Sequence, residues 1–372
     1  MQSVWKYCAI ALAALTLSAC ASFAPHRNAV PPPLIAVATV GGTAPLRYWG
    51  DDPDFVSSHR RIRPGSDGRV DYLALSGGGI NGAYGAGFLV GWTQRHDRPE
   101  FEVVTGISVG AIMAPLAFLG PQYDPRLQQV FSSLTEASNP ATNILSALLG
   151  APSIMTNKPV LAAIRAVVDE PVLDAIGKAH REGRRLYIGT TDFDAQRPVI
   201  WDIGAIANSG LPHRLQLVHN ILLASAAVPG VFPPVLIKVT AQGQSFEELH
   251  VDGGLTQQVL VLPGGFGRAA NGTTARLYVI FNGVTAPTPS SVQISSMSLL
   301  QRAVPTLLKY LGRANLVELA NSARESGASY RITAIPAEFP ESRNVFGSPQ
   351  WLEALYGYGF QSGLVGAWQT KN

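Results

Sequence analysis

Charged side chains are scarce in this sequence: they make up 14% of its 372 residues, against about 25% in an ordinary globular domain. Hydrophobic residues account for 47%, so the chain has ample material for a core and too few charges to stay open in water. This excludes a disordered protein. Lys and Arg number 28, Asp and Glu number 25, and the basic residues form no dense stripe that would bind phosphate groups. The composition therefore argues against nucleic acid as a partner.

Cysteine is nearly absent, and both copies, Cys8 and Cys20, lie at the extreme N-terminus. The apolar stretch over residues 7–17 follows a short basic start, which is typical of a secretory signal peptide over residues 1–19 and too short for an ordinary membrane span. The sequence Leu17-Ser18-Ala19-Cys20 resembles the lipobox of bacterial lipoproteins. That resemblance implies cleavage before Cys20 and acylation of its thiol.

A lipidated Cys20 would anchor the chain in the bacterial cell envelope, because several acyl chains together bind a membrane stably. The next residue, Ala21, is not the aspartate that retains many lipoproteins in the inner membrane, so the outer membrane is favoured. An ordinary cleaved signal, in which Cys20 has no role, is the alternative. In both cases disulfides do not hold the fold, since cleavage removes Cys8.

Regular structure is predicted to begin only near residue 69. Residues 20–68 are irregular and proline-rich, which favours a tether and a strap over the domain surface. Over residues 69–372 strands alternate with helices, without an internal repeat or a linker, so we predict one α/β domain with three layers, α/β/α, around a mainly parallel sheet. The uncharged run from Val103 to Tyr123 turns at Gly106 and carries two prolines, which indicates a buried strand and helix rather than a membrane span.

The first candidate for chemistry is Gly106-Ile107-Ser108-Val109-Gly110, which lies between a predicted strand and a predicted apolar helix. A G-x-S-x-G sequence in this context is typical of a nucleophile elbow. The two glycines permit a sharp turn, and the helix N-terminus favours developing negative charge. The alternative is a turn serine that caps the helix.

The second candidate is the glycine loop over residues 77–82, whose bare backbone amides can point at an oxyanion. The loop also matches the G-x-G-x-x-G pattern of dinucleotide sites. That pattern requires an acidic residue at the end of the following strand, whereas Glu102 lies near the start of that strand and Gly106 at its end. The sequence therefore argues against a nicotinamide dinucleotide cofactor at this loop.

The third candidate is Asp252, a carboxylate at the end of a predicted strand and before Gly253-Gly254. It could accept the proton of Ser108 if the fold brings the two together. The alternative is an aspartate that only shapes its own turn.

A histidine base stays open as well, although no histidine follows His250, as the Ser–Asp–His order of an α/β-hydrolase would require. A Ser–His pair oriented by Asp192 or Asp202 is conceivable, but nothing local favours it.

Taken together and in this order, the three segments resemble the patatin-like phospholipase family. Stretches over residues 191–207 and 224–234 also resemble family blocks, and the resemblance spans about residues 70–360. It implies an α/β/α fold and cleavage of acyl esters in phospholipids or other lipids by a Ser-Asp dyad without a metal or other cofactor. The site residues that it implies are Ser108 as nucleophile, Asp252 as base, and Gly77, Gly78, Gly79 and Asn81 as the oxyanion loop, chiefly through the amides of Gly78 and Gly79.

Asn81 departs from the family pattern, which usually has a basic residue at this position. An asparagine amide can still donate a hydrogen bond, but it carries no charge. This departure motivates a second hypothesis, in which a lipoprotein on an inactive hydrolase scaffold binds lipid or a partner protein.

Overall fold

The computed structural model describes residues 27–41, 45–53, 55, 62–137, 155–263, 274–342 and 347–370. The predicted signal peptide and the predicted lipidation site Cys20 lie outside these residues. Within the described ranges, no helix is both long and apolar enough to cross a membrane.

A single sheet of ten strands forms the middle of the described part. In chain order the strands are β1 (Arg47–Trp49), β2 (Arg69–Leu75), β3 (Val103–Ile107), β4 (Arg185–Asp192), β5 (Arg197–Asp202), β6 (Val235–Ala241), β7 (Gln244–Asp252), β8 (Thr274–Val284), β9 (Ser329–Ile335) and β10 (Gln369–Thr370). The five central strands, in the order β4-β3-β2-β8-β9, are all parallel. Six of the seven β2 residues are buried, as expected for a parallel sheet covered on both faces.

Helices cover the two faces of the sheet unequally. They are α1 (Gly82–Gln94), α2 (Val109–Leu119), α3 (Asp124–Ala137), α4 (Lys158–Val167), α5 (Glu170–Arg181), α6 (Ile203–Ala207), α7 (Arg214–Ser225), α8 (Ser296–Ser326) and α9 (Pro349–Val365). Leu73 and Leu75 of β2 belong to the larger core with α1, α2 and most other helices, whereas Tyr72 and Ala74 point into a second core with α8. The predicted three-layer α/β/α fold is confirmed.

The edges of the sheet are antiparallel. Strand β1 pairs with β5, β5 with β4, and the β6–β7 hairpin joins β4 through β7. Part of the segment predicted as a surface strap therefore belongs to the sheet. Arg47 of β1 explains why: its guanidinium forms an ion pair with buried Glu248 and lies 5.6 Å from the ring centroid of Trp201.

The sheet topology brings the three candidate segments together. Strands β2 and β3 are parallel neighbours, so the glycine loop after β2 and the turn after β3 lie at the same edge. Asp252 ends β7 directly opposite Thr190 near the end of β4, the next strand along. Ligands bind to open α/β sheets at the carboxyl ends of the parallel strands.

Candidate active site

Ser108 occupies a sharp turn between β3 and α2. Its φ angle is +54°, a left-handed conformation that is uncommon for a residue with a side chain. The flanking glycines make the turn possible: a Cβ at Gly106 would lie 2.6 Å from the Gly110 carbonyl oxygen, and one at Gly110 would lie 2.6 Å from the Ser76 carbonyl oxygen. This is the geometry that the G-x-S-x-G pattern predicts for a nucleophile elbow.

The Ser108 hydroxyl donates a hydrogen bond of 2.7 Å to Oδ2 of Asp252, and both residues are buried. The other carboxylate oxygen, Oδ1, accepts from the Gly254 amide at 2.7 Å. The Asp252 amide donates to the Ala227 carbonyl at 3.0 Å, and its carbonyl accepts from the Thr191 hydroxyl at 3.0 Å. Main-chain and side-chain contacts thus fix the carboxylate with one oxygen aimed at the serine.

Burial raises the pKa of Asp252 from 3.8 to about 7, and the hydrogen bonds from Ser108 and Gly254 offset only part of this rise. A carboxylate with a pKa near neutrality is a much stronger base than an exposed aspartate, yet it remains ionised in a large fraction of molecules at pH 7. These are the properties required of a general base.

The glycine loop lies against the elbow, because a Cβ at Gly77 would lie 3.3 Å from the Ser108 Cβ. The Gly77 amide donates to the Gln258 carbonyl at 2.9 Å, so it is not free to bind an oxyanion, contrary to the role that the family resemblance implies. The amides of Gly78 and Gly79 donate to no other residue in the part of the chain that the structure describes. They are therefore the two main-chain donors of the loop that a ligand can use.

Asn282, which the sequence analysis missed, holds the glycine loop through Ser76. The main-chain N–H of Asn282 donates to the Ser76 hydroxyl at 2.6 Å, and its side-chain Nδ2 donates to the Ser76 carbonyl at 2.9 Å. Its Oδ1 accepts from the Gly85 amide at 3.1 Å, which ties the loop to α1. No local pattern marks Asn282, which lies near the end of the mainly apolar strand β8.

Ser225, at the end of α7, is a second residue that the sequence analysis missed. Its hydroxyl accepts from the Ser108 amide at 2.9 Å and donates to the Gly189 carbonyl at 2.7 Å, and the side chain is fully buried. It therefore links the elbow to β4. The only sequence signal was its place in the family-like stretch over residues 224–234.

Asn81 lies at the end of the loop, and its main-chain N–H donates to the Gly78 carbonyl at 3.1 Å. Its side chain lines a cavity of about 340 Å³ together with Lys309, Glu341 and Trp351. The position that is usually basic in the family thus shares a cavity with a lysine from α8.

The histidine alternative finds no support in the geometry. His250 is buried and contacts Glu248 Oε2 at 3.1 Å and the Thr190 hydroxyl at 3.0 Å rather than Ser108. Asp202 caps α6 through the Ala205 amide at 2.8 Å. Among the residues described, no histidine forms a hydrogen bond with the Ser108 hydroxyl.

Asp192, Glu248 and His250 form a buried group whose ligand-type atoms lie within 4.8 Å of one another. Both Glu248 oxygens, however, bind the Arg47 guanidinium, and Asp192 Oδ1 accepts from the amides of residues 194 and 195. The Arg47 guanidinium already neutralises the Glu248 carboxylate, and this ion pair connects β1 to β7.

Comparison with known proteins identifies the family. A family model described as patatin-like phospholipase matches residues 73–263, and no curated protein matches the chain. VipD from Legionella pneumophila is a similar solved structure, with 12% identity and a TM-score of 0.36 over 84% of this chain and 71% of that chain. The type III effector protein ExoU is another, with 15% identity and a TM-score of 0.33 over 86% of this chain; this chain spans 58% of that protein's length. Because the family model matches more than half of the chain, this chain belongs to the patatin-like phospholipase family.

Proposed function

We propose that this protein is a serine acyl hydrolase that cleaves acyl esters of phospholipids or lysophospholipids through a Ser108–Asp252 dyad. The observation that carries the proposal is the 2.7 Å hydrogen bond from the Ser108 hydroxyl to the buried Asp252 carboxylate. The strained elbow, the two unpaired loop amides and the family membership support it.

In the first half of the reaction the Ser108 oxygen attacks the ester carbonyl carbon while its proton passes to Asp252 Oδ2. The carbonyl oxygen becomes an oxyanion and accepts hydrogen bonds from the amides of Gly78 and Gly79. When the tetrahedral intermediate collapses, the bond to the alcohol oxygen breaks and Asp252 returns the proton to the leaving alcohol. The products are an acyl-serine and the deacylated alcohol, which is a lysophospholipid when the substrate is a phospholipid and a glycerophosphodiester when it is a lysophospholipid.

In the second half a water molecule takes the place of the alcohol. Asp252 accepts its proton as the hydroxyl oxygen attacks the acyl carbon, and the same amides stabilise the second oxyanion. Collapse releases the fatty acid, and the proton on Asp252 returns to the Ser108 oxygen. The dyad therefore ends each cycle as it began.

A fluorophosphonate probe tests the nucleophile directly, because it reacts covalently with activated serines. We expect the full-length chain to be labelled and the Ser108→Ala variant to lose the label completely. Ser362→Ala is the matched control: Ser362 is also buried, but it lies in α9. Labelling is measured by in-gel fluorescence and located by mass spectrometry of the modified peptide.

Undiminished labelling of Ser108→Ala would show that another residue reacts. A correctly folded wild-type chain that takes no label would instead favour the second candidate function, lipid or partner binding on an inactive scaffold. The specific observation behind that candidate is the uncharged Asn81 at the end of the oxyanion loop.

We further propose that acylation of Cys20 anchors the enzyme to the bacterial outer membrane. We expect the wild-type chain, expressed in a bacterium with an outer membrane, to incorporate labelled palmitate and to sediment with that membrane. Cys20→Ser should do neither, whereas Cys8→Ser, which alters the only other cysteine, should behave as wild type. Palmitate in the Cys20→Ser protein would contradict this proposal.

A further inference from the structure

The cavity of about 340 Å³ beside the oxyanion loop has no part in the dyad chemistry. Ile80 and Asn81, the last two residues of the turn that ends the loop, line it. That turn, Gly79–Asn81, is a 3-10 helix and rises about 2 Å per residue, so Asn81 lies about 6 Å from Gly78. A ligand in the cavity can therefore belong to the same small molecule as an ester held by the loop amides.

The size of the cavity suits a headgroup. Pockets for small molecules measure about 300–1,000 Å³, so this one is near the lower limit. Val284 at the end of β8 and Ile335 at the end of β9 give it an apolar side. The space fits the polar end of a phospholipid better than a complete lipid with two acyl chains.

Two opposite charges line the cavity without pairing. Lys309 Nζ donates to the Ala286 carbonyl at 3.1 Å and to the Thr288 hydroxyl at 2.9 Å, which leaves one N–H of the ammonium for a ligand. Glu341 forms no ion pair with any residue that the structure describes. Burial lowers the pKa of Lys309, and the Glu341 carboxylate opposes this shift, so the two charges are close enough to interact. A ligand with one positive and one negative group can neutralise both.

Two aromatic rings, from Phe339 and Trp351, line the same cavity. Their centroids lie 6.0 Å apart and their planes are inclined by 71°, so the rings form a corner rather than a stack. The indole N–H of Trp351 donates to the Pro340 carbonyl at 2.8 Å, which fixes the orientation of the ring. Aromatic faces attract ammonium groups, and quaternary ammonium ligands such as choline are bound in this way.

The side chain of Asn81 is half-buried and forms no hydrogen bond within the described ranges. Its Nδ2 is therefore available to a ligand oxygen. Together with Lys309 it offers a neutral donor and a cationic donor, which a phosphate group can accept from at the same time.

We propose that this cavity binds the zwitterionic headgroup of a phospholipid. The phosphate accepts hydrogen bonds from Lys309 and Asn81, and the amine cation contacts the Glu341 carboxylate and the two aromatic rings. The inference rests on the proposed function and names its substrate class, which is phosphatidylcholine or phosphatidylethanolamine rather than an anionic phospholipid. The ester and the phosphate of these lipids are attached to the same glycerol, in agreement with the short path from Asn81 to the loop amides.

The charges and polar groups of the cavity argue against the other occupants. An anionic headgroup would neutralise Lys309 but leave Glu341 facing a second negative charge or an uncharged alcohol. An acyl chain would cover the ammonium of Lys309 and the amide of Asn81 without giving either a hydrogen-bond partner, which is costly.

Short-chain diesters with identical acyl groups test the headgroup preference. Dihexanoylphosphatidylcholine and dihexanoylphosphatidylglycerol, used below their micellar concentrations, present no membrane surface, so kcat/KM compares the headgroups alone. We expect the full-length chain to prefer the choline diester at least about tenfold, because hydrogen bonds and contacts of charged groups are worth this much or more.

Variants of the two charged residues assign the preference to the cavity. Glu341→Gln should reduce the preference for the choline diester about tenfold, because the amide neither attracts the cation nor repels an anionic headgroup. Lys309→Met keeps the aliphatic stem; its loss of kcat/KM on both diesters should exceed its loss on a p-nitrophenyl ester, which has no phosphate, about tenfold. Glu338→Gln and Lys178→Met change exposed residues that do not line the cavity, and both should behave as wild type.

Binding without turnover separates headgroup recognition from catalysis. In the Ser108→Ala background, titration calorimetry measures the Kd of the monomeric choline diester. We expect Lys309→Met and Glu341→Gln each to raise this Kd about tenfold and Glu338→Gln to leave it unchanged. Circular dichroism and thermal unfolding confirm that each variant is folded.

Equal kcat/KM of the wild-type chain on the two headgroups overturns the inference. Variant effects that follow the length of the acyl chain instead of the headgroup also overturn it and assign the cavity to the acyl chain. Failure of the proposed function is distinguishable: the wild-type chain then hydrolyses neither the diesters nor the p-nitrophenyl ester, while the Ser108→Ala protein still binds the choline diester selectively. Hydrolysis of both diesters with unselective binding leaves the proposed function intact and removes the headgroup site.

Discussion

Asp252→Asn lowers the hydrolysis of a soluble short-chain ester about a thousandfold. The amide keeps the shape of the carboxylate and can still accept from the Gly254 amide, but it cannot take the Ser108 proton. Removal of a positioned general base costs about a hundredfold to ten-thousandfold in rate. The measurement is kcat/KM on an ester that needs no membrane, so that surface binding does not enter.

Asp192→Asn is the matched control. Asp192 is as deeply buried as Asp252, but its Oδ1 accepts only from two main-chain amides, a role that an asparagine oxygen can fill. We expect the activity of this variant to stay within a few-fold of wild type. Equal losses in the two variants would mean that the effect comes from a disturbed sheet rather than from a missing base.

The elevated pKa of Asp252 also predicts how the rate depends on pH. Only the ionised carboxylate can accept the serine proton, so the wild-type rate should rise with pH, reach half its maximum near pH 7 and then level off. The residual rate of Asp252→Asn should not show this rise with pH, since the side-chain amide does not titrate. A wild-type rate that is already constant at pH 5 would be inconsistent with Asp252 as the base.

The same pKa shift makes folding stability depend on pH. Between pH 4 and 7 the folded protein keeps a proton on Asp252 that the unfolded chain has lost, because the folded-state pKa is about 7 and the ordinary value 3.8. Stability therefore falls as pH rises through this window, by ~4 kcal/mol for this group. Asp252→Asn has no carboxylate at this position to titrate. Its free energy of unfolding, measured with urea, should therefore rise relative to that of wild type between pH 4 and 8.

The central part of the fold follows from local sequence, whereas the edges of the sheet do not. Mainly apolar runs such as residues 70–76, bounded by glycines and alternating with helices, predict the parallel core directly. Strand β1 has three residues and no strand pattern of its own. It pairs with β5 through contacts of Arg47 with Trp201 and Glu248, more than 150 residues away, and such pairing leaves no local signal.

Local sequence likewise marks some residues of the candidate site and not others. Ser108 and the glycine loop are marked by glycines that the backbone requires at those positions. Asp252 has only the local signal of a turn, and its place beside Ser108 depends on the pairing of β7 with β4. Ser225 and Asn282 act through hydrogen bonds to residues more than 100 positions away. No local pattern indicates Asn282, and only the family-like stretch over residues 224–234 marks Ser225.

Gly78→Ala tests the oxyanion loop, and we expect it to reduce kcat at least about a hundredfold. An alanine Cβ would overlap the Asn282 carbonyl oxygen and lie 2.7 Å from the Asn282 Cβ, and the φ angle of +153° is one that L side chains rarely adopt. The loop must therefore move away from β8, and its amides no longer point at the developing oxyanion. Loss of one oxyanion donor costs about a hundredfold to a thousandfold.

Gly79→Ala separates this effect from a general cost of replacing glycine. The φ angle of Gly79 is also positive, +56°, but a Cβ there would meet nothing within 4 Å. The substitution keeps the amide and costs only backbone strain of about 1–2 kcal/mol. We expect its kcat to fall less than about tenfold, and thermal unfolding shows whether each variant is folded at the assay temperature. If Gly78→Ala stays folded and keeps full activity, the loop amides do not stabilise the oxyanion. A selective loss in Gly78→Ala instead ties catalysis to the close approach of Gly78 to Asn282 in β8.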